Sequence, residues 1–352
     1  MAMHSSSTRA MVIGLFAAFV LVSPFTRADE VVPIPKPAFR SVRFVDVSHG
    51  WIAGHRGLFY TSDGGKTWAR QAVALVQKSE SESIAQSFYT GQIVWAAGES
   101  ILLRSHDGLV FGRPNSAEWS TVAIPKHILV YLQPAAFIDP QTGWGGGSLG
   151  TVFRTSDGGK NWEQIAAPAD DVLQGVFAVS ANEVWIAGDG GVLLHSVDSG
   201  RSWSKQILPA YSSDDSIGDI HAIHFVGSQT GWACAVPGYI FHTVDGGQHW
   251  KPQASPYVRR TSLNAISFAD RREGWIVGGR DAGNDGEEKY EGVILHTSDG
   301  GQHWEVQKNK AGGLLDVQAL PNGRAWAVGG DGSVLRTFDH GKNWKKVKVE
   351  VN

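Results

Sequence analysis

One octapeptide pattern, S/T-x-D-x-G-x-x-W, restricts this chain more than any other feature, because it occurs six times in full. The copies are Thr61-Asp63-Gly65-Trp68, Thr155-Asp157-Gly159-Trp162, Ser196-Asp198-Gly200-Trp203, Thr243-Asp245-Gly247-Trp250, Thr297-Asp299-Gly301-Trp304 and Thr337-Asp339-Gly341-Trp344. A seventh, decayed copy is read at Ser105 and Asp107, with Leu109 and Gly112 where glycine and tryptophan would stand. With it counted, consecutive box aspartates lie 40 to 54 residues apart. Self-similarity at such a period marks supersecondary units that bury their apolar faces only by packing on one another.

A second string precedes each box: a tryptophan, two small or apolar residues, then usually glycine. It is read at Trp51, Trp95, Trp144, Trp185, Trp232, Trp275 and Trp326. These seven and the six box tryptophans make up 13 of the 14 in the chain. The remaining one, Trp119, reads as a displaced partner for the decayed box.

One repeat has room for four strands. In the sixth, Leu263 to Phe268 alternates as strand one, and Trp275 to Val277 is strand two. Val293 to His296 is strand three, and the box turns the chain into strand four at Trp304 to Gln307. The box chemistry suits a tight turn. Its carboxylate and hydroxyl accept backbone N–H bonds, and its glycines tolerate positive φ. A lone four-stranded sheet leaves a face uncovered, whereas seven stacked radially cover one another and leave few open edges. The span 29–352 gives about 46 residues per repeat, the size of a four-stranded blade. The expected fold is therefore all-β, a seven-bladed β-propeller of four-stranded antiparallel blades.

The N-terminus reads as an export signal. Arg9 precedes an apolar run from Ala10 to Val22, Pro24 breaks it, and Thr26-Arg27-Ala28 offers a cleavage site. Residues 1–28 are thus a signal peptide and 29–37 an extended, proline-rich lead-in. The propeller takes 38–352. The run is short for a transmembrane helix, which needs about 20 residues. The formal charge is −3, and −5 without the first 28 residues, which argues against nucleic acid as a partner. Cys234 is the only cysteine, so no internal disulfide or thiolate cluster forms. The expected location is periplasmic or secreted.

The box is the Asp box of the BNR repeat, shared by sialidases, other propeller glycosidases and sortilin-type receptors. Stretches such as GWIVGG…GVILHTSDGGQHW and AWAVGGDGSVLRTFDHGKNW resemble the photosystem II stability and assembly factors of chloroplasts and cyanobacteria and their exported bacterial relatives. The resemblance covers roughly residues 38–348. It implies a non-enzymatic seven-bladed propeller that binds precursor membrane subunits through a basic patch, lumenal in a photosynthetic organism. No cofactor is implied.

Asp63, Asp107, Asp157, Asp198, Asp245, Asp299 and Asp339 sit in a repeated turn, so they read as turn stabilisers and not as equivalent catalytic acids. A sialidase needs an early arginine in an Arg-Ile-Pro-like string, and Phe39-Arg40-Ser41-Val42 keeps the arginine alone. A glycosidase or sialidase-like hydrolase stays as the alternative function. No metal site is expected: His221 and His224, three apart in a strand, should point to opposite faces. The acidic run 280–288 has Gly292 where a calcium loop needs glutamate. Length variation gathers at residues 71–83, 207–219, 251–261 and 280–292. All four are connections that open on one face of a propeller, and binding residues favour variable loops on a rigid frame. The cations expected there are Arg259, Arg260, Arg56 and Arg280, with Arg40 and Arg43 near the first inner strand. Arg259-Arg260 is the expected anchor for an acidic protein or peptide partner, such as a membrane-complex subunit. The chain is expected to be monomeric and compatible with peripheral membrane association. Lys342, Lys345, Lys346 and Lys348 read as an exposed strand face.

Overall fold

The computed structural model describes residues 39–73, 92–104, 108–115, 119–123, 134–209, 217–257, 261–281 and 290–349. The predicted signal peptide and lead-in lie outside the described residues. Strands dominate, with two single 3-10 turns at Ser148–Gly150 and Asp189–Gly191. The strands form seven four-stranded antiparallel sheets, each from four consecutive strands in chain order. The innermost are Phe39–Phe44, Gln92–Ala97, Ala135–Phe137, Leu173–Ala178, Ile220–Val226, Thr261–Phe268 and Leu314–Leu320. Each packs on the next, and the last packs on the first. The chain is a seven-bladed β-propeller.

Closure uses side chains and no shared strand. Blade 7 carries its own outer strand, Lys345–Lys346, and blade 1 its own inner strand. Across the seam, Asp316 of blade 7 accepts bonds from Ser41 Oγ (3.2 Å), the Val42 backbone N–H (3.0 Å) and Arg43 (3.1 Å). Gln318 donates to the Phe44 carbonyl at 2.8 Å and accepts from the Phe44 N–H. Beneath them Phe39, Val42, Phe44, Ile52 and Phe59 share a core with Leu320, Trp326, Val328 and Val334.

Trp51, Trp144, Trp185, Trp232, Trp275 and Trp326, on second strands, are the largest fully buried side chains. An indole of about 200 Å² at about 25 cal/mol/Å² contributes up to about 5 kcal/mol. Each pairs across to a planar or cationic residue on strand three: Tyr60, Arg154, His195, His242, His296 or Arg336. The Trp185 and His195 rings stack 3.8 Å apart. In several interfaces the next blade's box tryptophan packs edge-on to the same indole, as Trp250 on Trp185 (5.8 Å) and Trp68 on Trp326 (5.6 Å). Three box glycines lie under the indoles: a Cβ on Gly247 would sit 2.1 Å from Trp185, one on Gly65 2.1 Å from Trp326 and one on Gly200 3.1 Å from Trp144, whereas Gly301 and Gly341 lie against Gln253 and Gln307. At these three positions the repeated Trp and Gly are thus two halves of one interblade contact.

Blade 2 departs from the expected register. Trp95 lies on its first strand, Gln92–Ala97, and its indole donates to the Ile138 carbonyl at 3.2 Å. The second strand is Ser100–Arg104, the third Gly108–Gly112 and the fourth Ser120–Ala123. Residues 105–107 therefore join strands two and three, whereas every intact box joins three and four. Asp107 itself lies outside the described residues. The box position belongs to 112–119, with Gly112 seven residues before Trp119, as Thr61 is before Trp68. Trp119 packs edge-on to Trp51 at 6.4 Å and 84°, the box-tryptophan arrangement. The structure thus has six strand-two tryptophans and a seventh box tryptophan, with Trp95 as the remainder. A chance Ser-x-Asp between two strands resembles the box; the true copy has lost its hydroxyl, aspartate and glycine.

Candidate functional site

Two faces differ in what their side chains do. The box face holds the boxes and the hairpins joining strands one and two. In each intact box the Ser/Thr hydroxyl donates to the aspartate Oδ1 at 2.8–2.9 Å. It accepts the glycine N–H at 2.8–3.0 Å. The aspartate also accepts the backbone N–H four residues on at 2.8–3.0 Å. Its Oδ2 takes that residue's side chain (Thr67, Asn161, Ser202, His249, His303 or Asn343) at 2.6–2.7 Å. This last donor is invisible as a sequence pattern, because threonine, asparagine, serine and histidine all serve the one bond. Hydrogen bonds from Asn343, Ser202 and His249 hold Asp339, Asp198 and Asp245 down at about 2. In Asp63 and Asp299 partial burial works the other way, and the same bonds overcome it, again to about 2. Asp157 is lowered mainly by the Asn161 N–H. A carboxyl held so low cannot serve as a general acid near neutral pH.

The loop face carries the hairpins between strands two and three and the interblade connections. It opens into the central channel, a cavity of about 840 Å³. Six inner strands have a register shift, at Arg40, Val94, Gln174, His221, Asn264 and Leu315. A bulge re-aims the extra residue, and five of these six line the channel. The same bulge corrects the expectation for the histidines: His221 is itself the bulged residue, so it and His224 both face the channel. Burial pushes His224 down to about 4, aided by the charge of Arg43, and Phe177 lies 4.9 Å from its ring.

The structure brings Arg40 and Arg43 together with Arg104, which the motif reading misses because it abuts the false box. Arg40 is exposed toward the channel, and Arg43 pairs with Asp316 at 3.1 Å. Arg104 is 9% exposed, and burial, then the charge of Arg40, draws it down to about 10. Asp316 is the single carboxylate among the described channel-lining residues. A glycosidase needs two. Arg56 stays on the rim, 5.9 Å over the Phe39 ring. Arg280 is elsewhere: it pairs with Glu291 at 2.9 Å, lies 5.2 Å over Tyr257, and lines a separate cavity of about 520 Å³ at blades 6 and 7. Arg259 and Arg260 lie outside the described residues. Asp170, Asp171, Asp189 and Asp219 form an acidic sector at the loop-face ends of blades 4 and 5. Cys234 is buried against the Leu263 carbonyl, and burial pushes its thiol up to about 12. Among the described residues no cluster of three His, Cys, Asp or Glu is arranged for a metal, and no helix is long and apolar enough to cross a membrane.

Comparison with known proteins gives these features a family. The family model described as photosynthesis system II assembly factor YCF48 matches residues 28–110, 111–213 and 210–311. Photosystem II assembly lipoprotein Ycf48 of Picosynechococcus sp. is 27% identical over 165 residues, 43% of this chain and 46% of the relative. The chloroplastic photosystem II stability/assembly factor HCF136 of Oryza sativa subsp. japonica is 29% identical over 92 residues, 25% of this chain and 19% of the relative. The chain thus spans less than half the length of these curated relatives. Among solved structures, YCF48 bound to D1 peptide superposes with a TM-score of 0.64 at 19% identity, covering 86% of this chain and 92% of the other. YCF48 from Cyanidioschyzon merolae gives 0.65 at 16%, covering 86% and 96%. A streptogramin B lyase gives 0.63 at 9%, covering 90% and 95%, so the ring alone does not separate binder from enzyme. On the family match, which covers most of its length, the chain belongs to the photosystem II assembly factor YCF48 family of propellers.

Proposed function

We propose that this chain is an exported, non-enzymatic propeller whose loop face holds a protein or peptide segment during assembly of a membrane complex. The observation that carries the reading is the asymmetry between faces. Box aspartates such as Asp198 and Asp339 are locked into turns at about 2, and the channel carboxylate is bound to Arg43 and the blade 1 backbone. The loop face keeps cations on blades 1 and 2 and carboxylates on blades 4 and 5, which suits a partner of matching polarity. The similar propeller solved with a D1 peptide supports a peptide as the ligand class. Residues 1–28 direct export and are removed, and the mature chain works as a monomer at the membrane surface. Arg259 and Arg260 anchor the acidic end of the partner, with Arg56 as a further cation on the rim.

The test is a peptide array covering the soluble segments of membrane-complex subunits, probed with wild type, Arg56→Ala and the Arg259→Ala/Arg260→Ala double variant. Acidic segments should bind wild type and be lost from the double variant. Equal retention by all three proteins refutes the anchor. Hydrolysis of a glycoside panel, with no peptide retained, would overturn the binding function itself.

A further inference from the structure

Blade 6 outgrows its neighbours where it meets blade 7. Its second and third strands, Gly274–Asp281 and Tyr290–Thr297, run eight residues each, against four to six in the other blades. The end rungs pair Gly279 with Gly292, Arg280 with Glu291 and Asp281 with Tyr290. They are stitched to the connection that leads into blade 7. The Gly292 N–H donates to the Ala311 carbonyl at 3.0 Å, and Asn309 Nδ2 donates to the Gly292 carbonyl at 2.9 Å. The Tyr290 ring lies over Gly279 and Gly313, where a Cβ would stand 2.3 and 2.4 Å from it. Extension and connection together wall the cavity of about 520 Å³ between the two blades. Most of its polar groups are already engaged. Gln307 Oε1 accepts the Trp275 and Trp344 indoles at 3.1 and 2.8 Å, and its Nε2 donates to the His340 carbonyl at 2.8 Å. Asn309 Oδ1 accepts the Ala311 N–H at 3.0 Å. Arg280 and Glu291 hold each other at 2.9 Å, and Lys346 has Asp331 as a neighbouring charge. Lys308 and Lys310 are the lining cations left over: both are exposed, and no carboxylate among the described residues pairs with either. The rest of the wall is apolar, from Tyr257, Val306, Leu335 and Trp344.

We propose that this cavity binds a small organic carboxylate with an apolar body. The body lies against Tyr257, Val306, Leu335 and Trp344, with the head at the mouth within reach of Lys308 and Lys310. Burial of the body supplies most of the attraction. The lysines add flexible ammonium groups that stay in water and select a negative head. A neutral head gains little, because the amides of Gln307 and Asn309 are spent on the protein itself. The volume is that of small-molecule sites in general, which are mostly apolar with a few polar groups fixing orientation. The site goes beyond the protein-binding proposal, because it lies outside the central channel and uses neither Arg56 nor the Arg259-Arg260 pair.

Octanoate and phenylacetate are the probes, each set against its neutral amide, with acetate as a head without a body. Calorimetric titration of the full chain is run at fixed ionic strength. At least one acid should saturate a single site per chain. Its amide should bind about 10-fold more weakly, the loss of a charge-assisted pair, and acetate should give no measurable heat. Lys308→Gln/Lys310→Gln should bring that acid down to the level of its amide and leave the amide unchanged. Val306→Trp, at a side chain 46% exposed, should fill the mouth and abolish binding of both. Each variant alters exposed side chains, and an unchanged Tm separates lost binding from lost folding. No saturable binding of either acid overturns the proposal. So does equal affinity for acid and amide, or wild-type affinity in the double lysine variant or in Val306→Trp.

Discussion

Replacing Gly247 with alanine isolates the contact that joins one blade to the next. The new Cβ would stand 2.1 Å from the Trp185 ring, with φ at +83°. Trp185 is fully buried between His195 and the ring of Phe225, 4.8 Å away, so it has no room to retreat. Two costs add. The left-handed backbone with a Cβ costs about 1–2 kcal/mol, and overpacking a rigid core costs about 1–3 kcal/mol. The sum is about 2–5 kcal/mol. Gly227, in the same blade, separates the two: its φ is +71°, and a Cβ there meets nothing within 4 Å. Gly227→Ala should lose only the backbone share. Urea unfolding followed by tryptophan fluorescence measures both. In a Trp185→Leu background the extra cost of Gly247→Ala should shrink toward that of Gly227→Ala, because the clashing ring is gone. Two results would show that the indole does not rest on the box: equal losses for the two glycine variants beside the native tryptophan, or an undiminished loss in the Trp185→Leu background.

The reassigned second blade predicts that Trp119→Ala costs about 3 kcal/mol, as a packed box tryptophan does, while Asp107→Ala stays within about 0.5 kcal/mol; the reverse order in urea midpoints restores the original box. Acid stability follows from the boxes. The carboxyls of Asp63, Asp198, Asp245, Asp299 and Asp339 sit at about 2 in the folded state against an ordinary 3.8, so the stability they contribute is present above pH 3.8 and is lost as pH falls through about 2. Asp299→Asn should flatten the fall in urea midpoint between about pH 4 and pH 2, and an unchanged slope refutes the linkage.

The parts of this fold that are legible in sequence are those where one residue type alone fits. Only glycine fits under Trp185 at Gly247, and the Thr243–Asp245 pair closes the turn with backbone partners that recur in every intact copy. Alternation places the strands of blade 6, though the second and third run longer, to Asp281 and from Tyr290, since their extension is a glycine-rich, charged ladder with no apolar period. The channel is not legible. Its lining depends on bulges, and a one-residue insertion in an inner strand leaves no mark in composition. Simple alternation sends His221 and His224 to opposite faces for that reason, and Ser105-x-Asp107 hides Arg104.

Repeat architecture also explains why function concentrates where the repeat fails. Six boxes bind their carboxylates alike, and six indoles are buried alike, so substitutions there are limited by blade packing. The bulged positions are under no such limit: apart from Val94, which joins the core, they line the channel and contribute nothing common to the blades. At those five positions the chain carries arginine, glutamine, histidine, asparagine and leucine in turn. A ring with nearly sevenfold architecture thus acquires a channel with no symmetry at all, cationic at blades 1 and 2 and apolar toward Phe177 and Ile223. Specific recognition of an asymmetric ligand requires that difference, because equivalent positions on seven identical blades would bind in seven equivalent ways.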